Sequence, residues 1–598
     1  MKIKNFKITL VILFCFSLLG LTAQTKMLVK VKSGANSFYN TSTVKKLTFN
    51  AGNLQVNKND TSVSSFARSG TQSVNFANIL SVSSPVSISA LTLTPASDVI
   101  VTSNKLTINQ ASEVSSITVA PGAELELTSG NTLTSGSVTL QSDATGTATL
   151  VDNTTNTPQA VTATVQQYLG SARNWYITPP ITGAAVPSGQ TYFSYDETGS
   201  NADLSVLGAT AYWKPEAETV SLDSRKGYIV QAAGESTLSF TGTLNTGSQT
   251  PLTLTRTTGK SNEGFNLVAN PFPSYLDWKL VSAANTGLLS TTWFRTKNNS
   301  GGYIFATVNV ANPSSPVIVA VDPNTTITTL IPPMQAYWVR VSAPGSTTYT
   351  VNNSMRAHVD NSGNKFKAPA QNTQSLLRLR VSNGSNADET VVLFNSDATN
   401  SLDKFDSPKM SNNSASFPEI YTQIGTDKLV INGMNTVNYN TEIPLGFSTL
   451  TAASNNSLSI SANEMTNFET GTRVILIDKQ NPSVETELTN GAAYSFSAPV
   501  TAPTTNRFSL LFRAPGGTTD VNTAEKMNAQ VFVNGANQIT IIAAEKATYN
   551  IYNAVGQLME NGAIASNNQT SNFKHAAGLY VVKLTENGRE LTTRVIVK

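Results

Sequence analysis

Charge, cysteine and histidine are all scarce in this sequence of 598 residues. Lys+Arg number 40 and Asp+Glu 37, so charged residues make up 13%, where soluble domains usually carry about 25%. The net charge of +3 offers no basic field for nucleic acid or anionic lipid. The one cysteine, Cys15, sits in an apolar run near the start behind Phe14, not behind the small residue that a lipid-attachment site requires. The only histidines are His358 and His575. A three-histidine zinc site is therefore excluded, H-E-x-x-H is absent, and no G-x-S-x-G elbow accompanies either histidine. Gly259-Lys260-Ser261 ends like a phosphate loop, but Leu254 occupies the place of its first glycine, so the cradle is missing and a polar turn remains.

Long apolar runs are lacking too. Ile8–Leu21 is too short for the 18 or more residues of a membrane span. Lys2, Lys4 and Lys7 precede it, and Leu21-Thr22-Ala23 precedes Gln24. That pattern is a secretory signal peptide over 1–23, cut between Ala23 and Gln24 and handled by the Sec machinery. Its removal takes three lysines and no acid, bringing the net charge from +3 to zero. It also takes Cys15, so the mature chain has no disulfide, thiolate metal site or thiol nucleophile. No other segment is long and apolar enough to span a membrane.

What is present is β-forming. Hydrophobic residues are 39%, helical periodicity is nearly absent, and Ser, Thr, Asn and Gln carry the polarity. We expect an all-β chain of serial sandwich or solenoid-like modules. Residues 24–85 read as an N-terminal β module, with a hairpin at Asn50-Ala51-Gly52-Asn53. Residues 86–165 hold short strands at close, uneven spacing between Gly turns, as in a small β-solenoid or a β-sandwich. Within them Glu124 and Glu126 share a strand face, most simply a solvated one. Residues 356–371 read as a linker, 372–513 as a β-sandwich module, and 514–522 as a second linker.

Residues 166–255 and 256–355 read as two related β modules. Asn174-Trp175-Tyr176-Ile177-Thr178-Pro179-Pro180 matches Phe265–Pro273. Ala211-Tyr212-Trp213-Lys214 matches Thr292-Trp293-Phe294-Arg295, and Lys226-Gly227-Tyr228-Ile229-Val230 matches Gln335-Ala336-Tyr337-Trp338-Val339. All five tryptophans lie here. Four fall in the repeated blocks, where a large aromatic belongs to the core. Trp278 lies outside them and is the expected ligand-facing aromatic.

Asp388, Glu389, Asp397, Asp403 and Asp406 form an acid-rich stretch. Such carboxylates could hold calcium, although the D-x-D-x-D-G loop is absent and Lys404 and Lys409 lie nearby. A solvated loop is the expectation, with no cofactor. The same five acids are the source of any glycosidase carboxylate pair, with Asp397, Asp403 and Asp406 the best placed.

Residues 523–598 read as a small antiparallel immunoglobulin-like sandwich. Three motifs carry a resemblance: Ile551-Tyr552-Asn553-Ala554-Val555-Gly556-Gln557, Ala577-Gly578-Leu579-Tyr580-Val581-Val582-Lys583, and Arg594-Val595-Ile596-Val597-Lys598 at the end. In that order they resemble the type A C-terminal sorting domain of the type IX secretion system of Bacteroidota. Asn553 stands where that family usually has Asp, and both suit a turn. The resemblance implies recognition of this domain by the outer-membrane translocon, and its removal by a sorting peptidase while the passenger is released or joined to surface lipopolysaccharide. Asn553, Gly556, Gly578, Tyr580, Arg594, Val595, Val597 and Lys598 would be the sorting-signal residues. Residues 374–513 and the Asn-Pro blocks of the repeats resemble, more softly, parts of large surface proteins.

These features together predict a non-catalytic secreted or outer-membrane-attached surface protein, adhesive or structural, with glycans or matrix proteins as partners. The alternative is a secreted carbohydrate-active hydrolase using a carboxylate pair.

Overall fold

The structure, a computed structural model, describes residues 24–598 except 33–36, 92, 155–160, 188, 203, 206–208, 219, 323–325, 360–373, 413, 415–416, 449–455, 481–484, 489–491, 499–503, 516–528, 544–545, 566–568, 571–573 and 587–588. The signal peptide with Ala23 and most of both linkers lie outside the described residues. The chain forms two compact units. The first runs to Phe468 and takes in Val474–Phe512; the second is Arg513–Lys598 with Glu469–Arg473.

In the first unit, Gln24–Val31 pairs antiparallel with Ser37–Asn40 and with Thr71–Val82. The expected hairpin joins Val44–Asn50 to Asn53–Lys58. Ala51 and Gly52 have φ of 46° and 82°, as a two-residue turn between twisted strands requires. Thr71–Val82 then opens a parallel stack with Asp98–Val101, Ser112–Val119, Leu133–Leu140 and Thr162–Leu169. A facing parallel sheet holds Val86–Ser87, Lys105–Ile108, Glu124–Leu127 and Thr149–Asp152. Parallel rungs stacked on one core are solenoid geometry, so of the two readings of 86–165 the solenoid holds and the sandwich does not. Val99, Ile117, Val138 and Ala163 line up on one wall and Leu106, Leu125 and Leu150 on the other, all buried. The pairings step from Ile79 to Asp98 to Ser116 to Ser137, and from Val138 to Ala163. These intervals are unequal, which is why no strict period is visible. Thr162–Leu169 also pairs with Ser236–Thr243, so a single sheet crosses the boundaries drawn at 85 and 165.

The two repeats meet across a quasi-two-fold seam. Arg173–Ile177 pairs with Tyr228–Ala232, and Phe265–Ala269 with Ala336–Val341. Isolated bridges then link Ile177 to Gln335 and Lys226 to Val268. Ile177 and Val268 hold equivalent places opposite Tyr228 and Tyr337, so the two bridges are one contact made twice. A Cβ on Gly227 would fall 2.6 Å from the Cβ of its counterpart Ala336 and 2.6 Å from Leu267 Cγ; this close approach requires glycine. The match of the Trp213 and Trp293 blocks is corrected. Trp293 lies on Leu288–Lys297, next to the Ala336–Val341 strand. In the first repeat that place belongs to Tyr192–Tyr195, and Trp213 sits one strand further out.

A buried polar knot ties the solenoid to the second repeat. Arg356, placed in the linker by the sequence reading, lies in the short strand Arg356–Ala357 paired with Tyr275–Asp277. Its Nε donates to Ser274 Oγ (2.9 Å), Nη1 to Asn353 Oδ1 (3.2 Å), and Nη2 to the carbonyl of Leu150. Asn353 donates to the Thr154 carbonyl (3.1 Å) and accepts from Gly247 N (2.8 Å).

Residues 374–512 build one long sheet that curls over its own core, bringing Leu377, Ile460, Leu476 and Phe508 together. Its outer face packs Leu393 and Ile431 against Val317 and Val319 of the second repeat. The second unit holds a four-stranded and a three-stranded sheet over Ile541, Ile551, Val582 and Val597, the small antiparallel sandwich expected.

Candidate functional sites

The sorting motifs converge on one sheet. Thr548–Asn553 pairs with Leu558–Ala563 and with Gly578–Glu586, which pairs with Arg589–Val597. Asn553 Oδ1 accepts from Val555 N (3.2 Å) and Gln557 N (2.9 Å), and Gly556 closes the turn at φ 83°. An Asx oxygen does this as well as an Asp carboxylate, so the departure at Asn553 preserves the turn. Tyr580 lies opposite Asn553 on one side and Val595 on the other. It is buried and donates to the Ala576 carbonyl (3.0 Å). Val595 and Val597 are core; Gly578, Arg594 and Lys598 are exposed. Leu579 and Ile596 lie opposite each other on the outer face, 40% and 66% exposed. The hairpin tip Val555 is 86% exposed. The motifs thus mix core residues that hold the sheet with apolar residues presented to solvent. At the other end of the chain, Gln24 opens the first strand, opposite Ile79.

The acid-rich stretch is dispersed among structural partners. Asp388, pushed up by burial, is met by Lys409 and by Ile420 N (2.9 Å). Glu389 lies between Arg378 (3.4 Å) and Arg380 (3.5 Å). Asp403 accepts from Thr399 N (2.6 Å) and Phe405 N (2.8 Å). Asp406 accepts from Gly433 N (2.9 Å) and Asp403 N (2.8 Å). Burial raises Asp406 to about 7, the range of a general acid, yet the residue is 1% exposed and cannot meet a substrate. Asp397 is exposed. Among the described residues no three His, Cys, Asp or Glu side chains gather as a metal would require.

Glu126 is paired with Lys105 (2.8 Å), and Glu124 is buried, so neither stands on the solvated face expected of them. His358 Nδ1 is 2.7 Å from Thr149 Oγ1, and its Nε2 is 3.9 Å from Glu124. That hydroxyl–imidazole–carboxylate order has its hydroxyl fully buried, out of reach of a substrate. His575 is buried beside Glu560 (3.6 Å) and the Tyr580 ring.

Trp278 is corrected. It is fully buried, on the α-helix Trp278–Ala284 capped by Asp277. Its Nε1 donates to the Ser290 carbonyl (3.2 Å), and its ring meets Tyr337 edge-on at 5.9 Å. It stands outside the repeated blocks because it belongs to an inserted helix, not because it faces solvent. Trp293 and Trp338 are core, while Trp175 and Trp213 are half-buried.

A cavity that sequence reasoning missed lies against the 374–512 sheet. Its volume is about 190 Å³, and it has Asn400, Gln423, Asn432, Asn438, Met434 and Ile443 among its lining residues. Three strands contribute to it: Asn432 comes from Asp427–Met434, Gln423 from Glu419–Ile424, and Ile443 from Glu442–Ser448. Asn432 is 2% exposed, and among the described residues its Oδ1 has no hydrogen-bond partner. Thr422, fully buried on the same strand as Ile424 but not lining the cavity, likewise has a hydroxyl without a partner among the described residues. Glu442, the one carboxylate among the described lining residues, is tied to Ser509 Oγ (2.7 Å) and Lys479 (3.0 Å), which hold it below the usual carboxylate range. Amides spread from Asn400 to Asn438 carry no spacing signal for such a site.

Comparison with known proteins places both ends of this description. Residues 534–598 match the secretion system C-terminal sorting domain, so the chain is a secreted, cell-surface protein of the type IX route. No curated protein matches. Among solved structures, a chain titled "Biofilm associated protein - BSP domain" aligns at 7% identity and a TM-score of 0.11, over 74% of this chain and 66% of that one, less than two thirds of its length. Residues 88–512, well over half of the sequence, match the family described as Domain of unknown function (DUF8693), and the chain belongs to that family.

Proposed function

We propose that residues 24–513 are a non-catalytic passenger with an adhesive or structural role, carried across the inner membrane by the signal peptide and fixed at the outer membrane when the sorting module is removed. Glycans or matrix proteins are the partners of this reading. The observation that carries it is the sorting domain at the end of a passenger whose acids, Asp388, Glu389, Asp403 and Asp406, serve backbone amides and cations rather than an open cleft. These four carboxylates are thereby committed to holding loops and strands, which suits a coat or binding surface.

The test is the mass and termini of the extracellular chain. We expect a start at Gln24 and an end between about 514 and 527, and retention in the periplasm when 534–598 is deleted. A surface species still ending at Lys598 would refute the processing. Binding of the mature chain to glycan or matrix arrays separates adhesion from a purely structural coat, and turnover of any glycan would overturn the non-catalytic reading.

A further inference from the structure

We propose that Lys409 and Asp388 join in a self-formed amide bond, a covalent cross-link between the strand Ala387–Phe394 and the segment that follows Pro408. The cross-link concerns how the passenger is built and is independent of what its surface binds.

Burial singles this pair out. The two side chains are in direct contact, and they are 7% and 9% exposed. Among the described residues, the other lysines paired with acids are Lys105, Lys279, Lys479 and Lys583, with side chains between 36% and 49% exposed. Arg507 and Asp478 are as deeply sealed, at 9% and 2%, but a guanidinium does not give up its proton and stays an ion. A lysine gives its proton up when desolvated, and the free amine is a nucleophile. Taking both ions out of water costs each its hydration. The sealed site therefore favours the neutral amine and acid over the ion pair that water prefers. Burial pushes the Asp388 carboxyl up, against the pull of Lys409, and the neighbouring Glu419 adds to the rise.

The backbone fixes the encounter from both sides. Asp388 stands on Ala387–Phe394, and Ile420 N, near the start of Glu419–Ile424, donates to its Oδ2 (2.9 Å). Lys409 follows the short strand Ser407–Pro408, and its own N donates to the Lys428 carbonyl (2.9 Å). Well-oriented groups held in this way react as though at about 10⁵–10⁸ M. The Ile420 N–H also meets the oxygen on which negative charge gathers as the amine adds, so an oxyanion donor is already in place. The step needs no co-reactant. A proton passes from the ammonium to the carboxylate, and the amine lone pair bonds to Asp388 Cγ. The bond from Cγ to Oδ1 breaks. That oxygen leaves as water with two of the three ammonium protons, and the third stays on the amide nitrogen.

The segment bearing Lys409 is the one that grips the second repeat. Ser407 Oγ lies 2.8 Å from Thr291 Oγ1, and Trp293 Nε1 donates to the Pro408 carbonyl (3.1 Å). Cys15 is the only cysteine in the sequence, so no disulfide can lock this region outside the cell.

The test is the intact mass of the folded mature chain, followed by a tryptic digest under denaturing conditions. We expect the chain to weigh one water less than its sequence, and the digest to contain a branched peptide carrying both Asp388 and Lys409. Lys409→Arg keeps a cation against Asp388 but has no amine, and should recover the missing water. The wild-type mass is decisive by itself, so the test survives a variant that fails to fold. A wild-type chain at its full sequence mass overturns the cross-link and leaves an ion pair. A water missing from some other peptide, with residues 388 and 409 unlinked, overturns it equally.

Discussion

Arg356 should be the clamp that holds the solenoid to the second repeat. It is 8% exposed, stacks 4.8 Å over Phe272, and is lowered to about 10 by burial, with Asp152 opposing that shift. Replacement by Leu keeps apolar bulk but withdraws the donors that reach Ser274, Asn353 and Leu150. Asn353 Oδ1 retains Gly247 N, so the loss falls on the Leu150 carbonyl and the Ser274 hydroxyl. At about 1–3 kcal/mol for each buried group left unpaired, and with Asp152 stripped of its cation, a local loss of about 3 kcal/mol follows. At about 1.4 kcal/mol per tenfold, that is roughly a hundredfold. A chain of many sheets does not unfold in two states, so the readout should be local. Hydrogen exchange at Gly247 N and at Thr154 N, which donates to Asp152 Oδ1 (2.9 Å), should accelerate about a hundredfold in Arg356→Leu. Arg356→Lys should recover less than half in free-energy terms, since a point charge cannot serve three separate acceptors as the planar fork does. Exchange within about threefold of wild type in the Leu variant would refute the clamp.

Two further outcomes follow from burial. Trp278→Ala should cost about 3–5 kcal/mol, seen as an early thermal transition of the mature chain; a fully stable variant with impaired glycan binding would restore the ligand-facing assignment. Asp406, raised from 3.8 to about 7 by burial, favours its protonated form in the folded state. Its contribution is therefore full below about pH 4 and is lost as pH rises through 7, by up to about 4 kcal/mol. Protection from hydrogen exchange at Gly433 N, which donates to Asp406 Oδ1 (2.9 Å), should fall in wild type relative to Asp406→Asn between pH 4 and 7, and a constant difference would refute the shift.

How much of this was legible depends on whether a feature lives in local chemistry or in the meeting of distant strands. The sorting module was readable because Asn553-Ala554-Val555-Gly556 forms its turn from its own atoms, and Tyr580, Val582 and Val597 alternate into one small core. The all-β class was readable from composition and turns. The boundaries were not. Glu124, Thr149 and His358 come together from distant parts of the sequence, and Arg356 looks like linker because nothing adjacent in sequence reveals Leu150 or Ser274. Trp278 was misjudged because a seven-residue helix is too short to show periodicity, although Asp277 before it and Val281 three residues on are the cap and the buried face that such a helix needs. The cavity at Asn432 left no mark at all, since its amides arrive on separate strands and loops.

The repeats show why one part of a duplication stays visible while another is misread. The first and third blocks of each repeat are the strands that form the seam. There Ile177 meets Gln335 as Val268 meets Lys226, and Gly227 backs directly onto Ala336. A contact across a two-fold confronts each position with its own counterpart, so a bulky residue in either copy would be felt by both. Small residues at 227 and 336, and buried tyrosines at 228 and 337, are what that geometry permits. The outer strands answer to no such constraint. Trp213 packs edge-on at 5.1 Å from Tyr195 and 6.1 Å from Trp338, whereas Trp293 is sealed beneath Phe265 at 5.1 Å and donates to the Pro408 carbonyl (3.1 Å). The two tryptophans share a residue type and an aromatic neighbourhood but not a strand position. Their apparent match arises from the general demand of a β core for large aromatics, while the match at the seam arises from contact between the copies themselves.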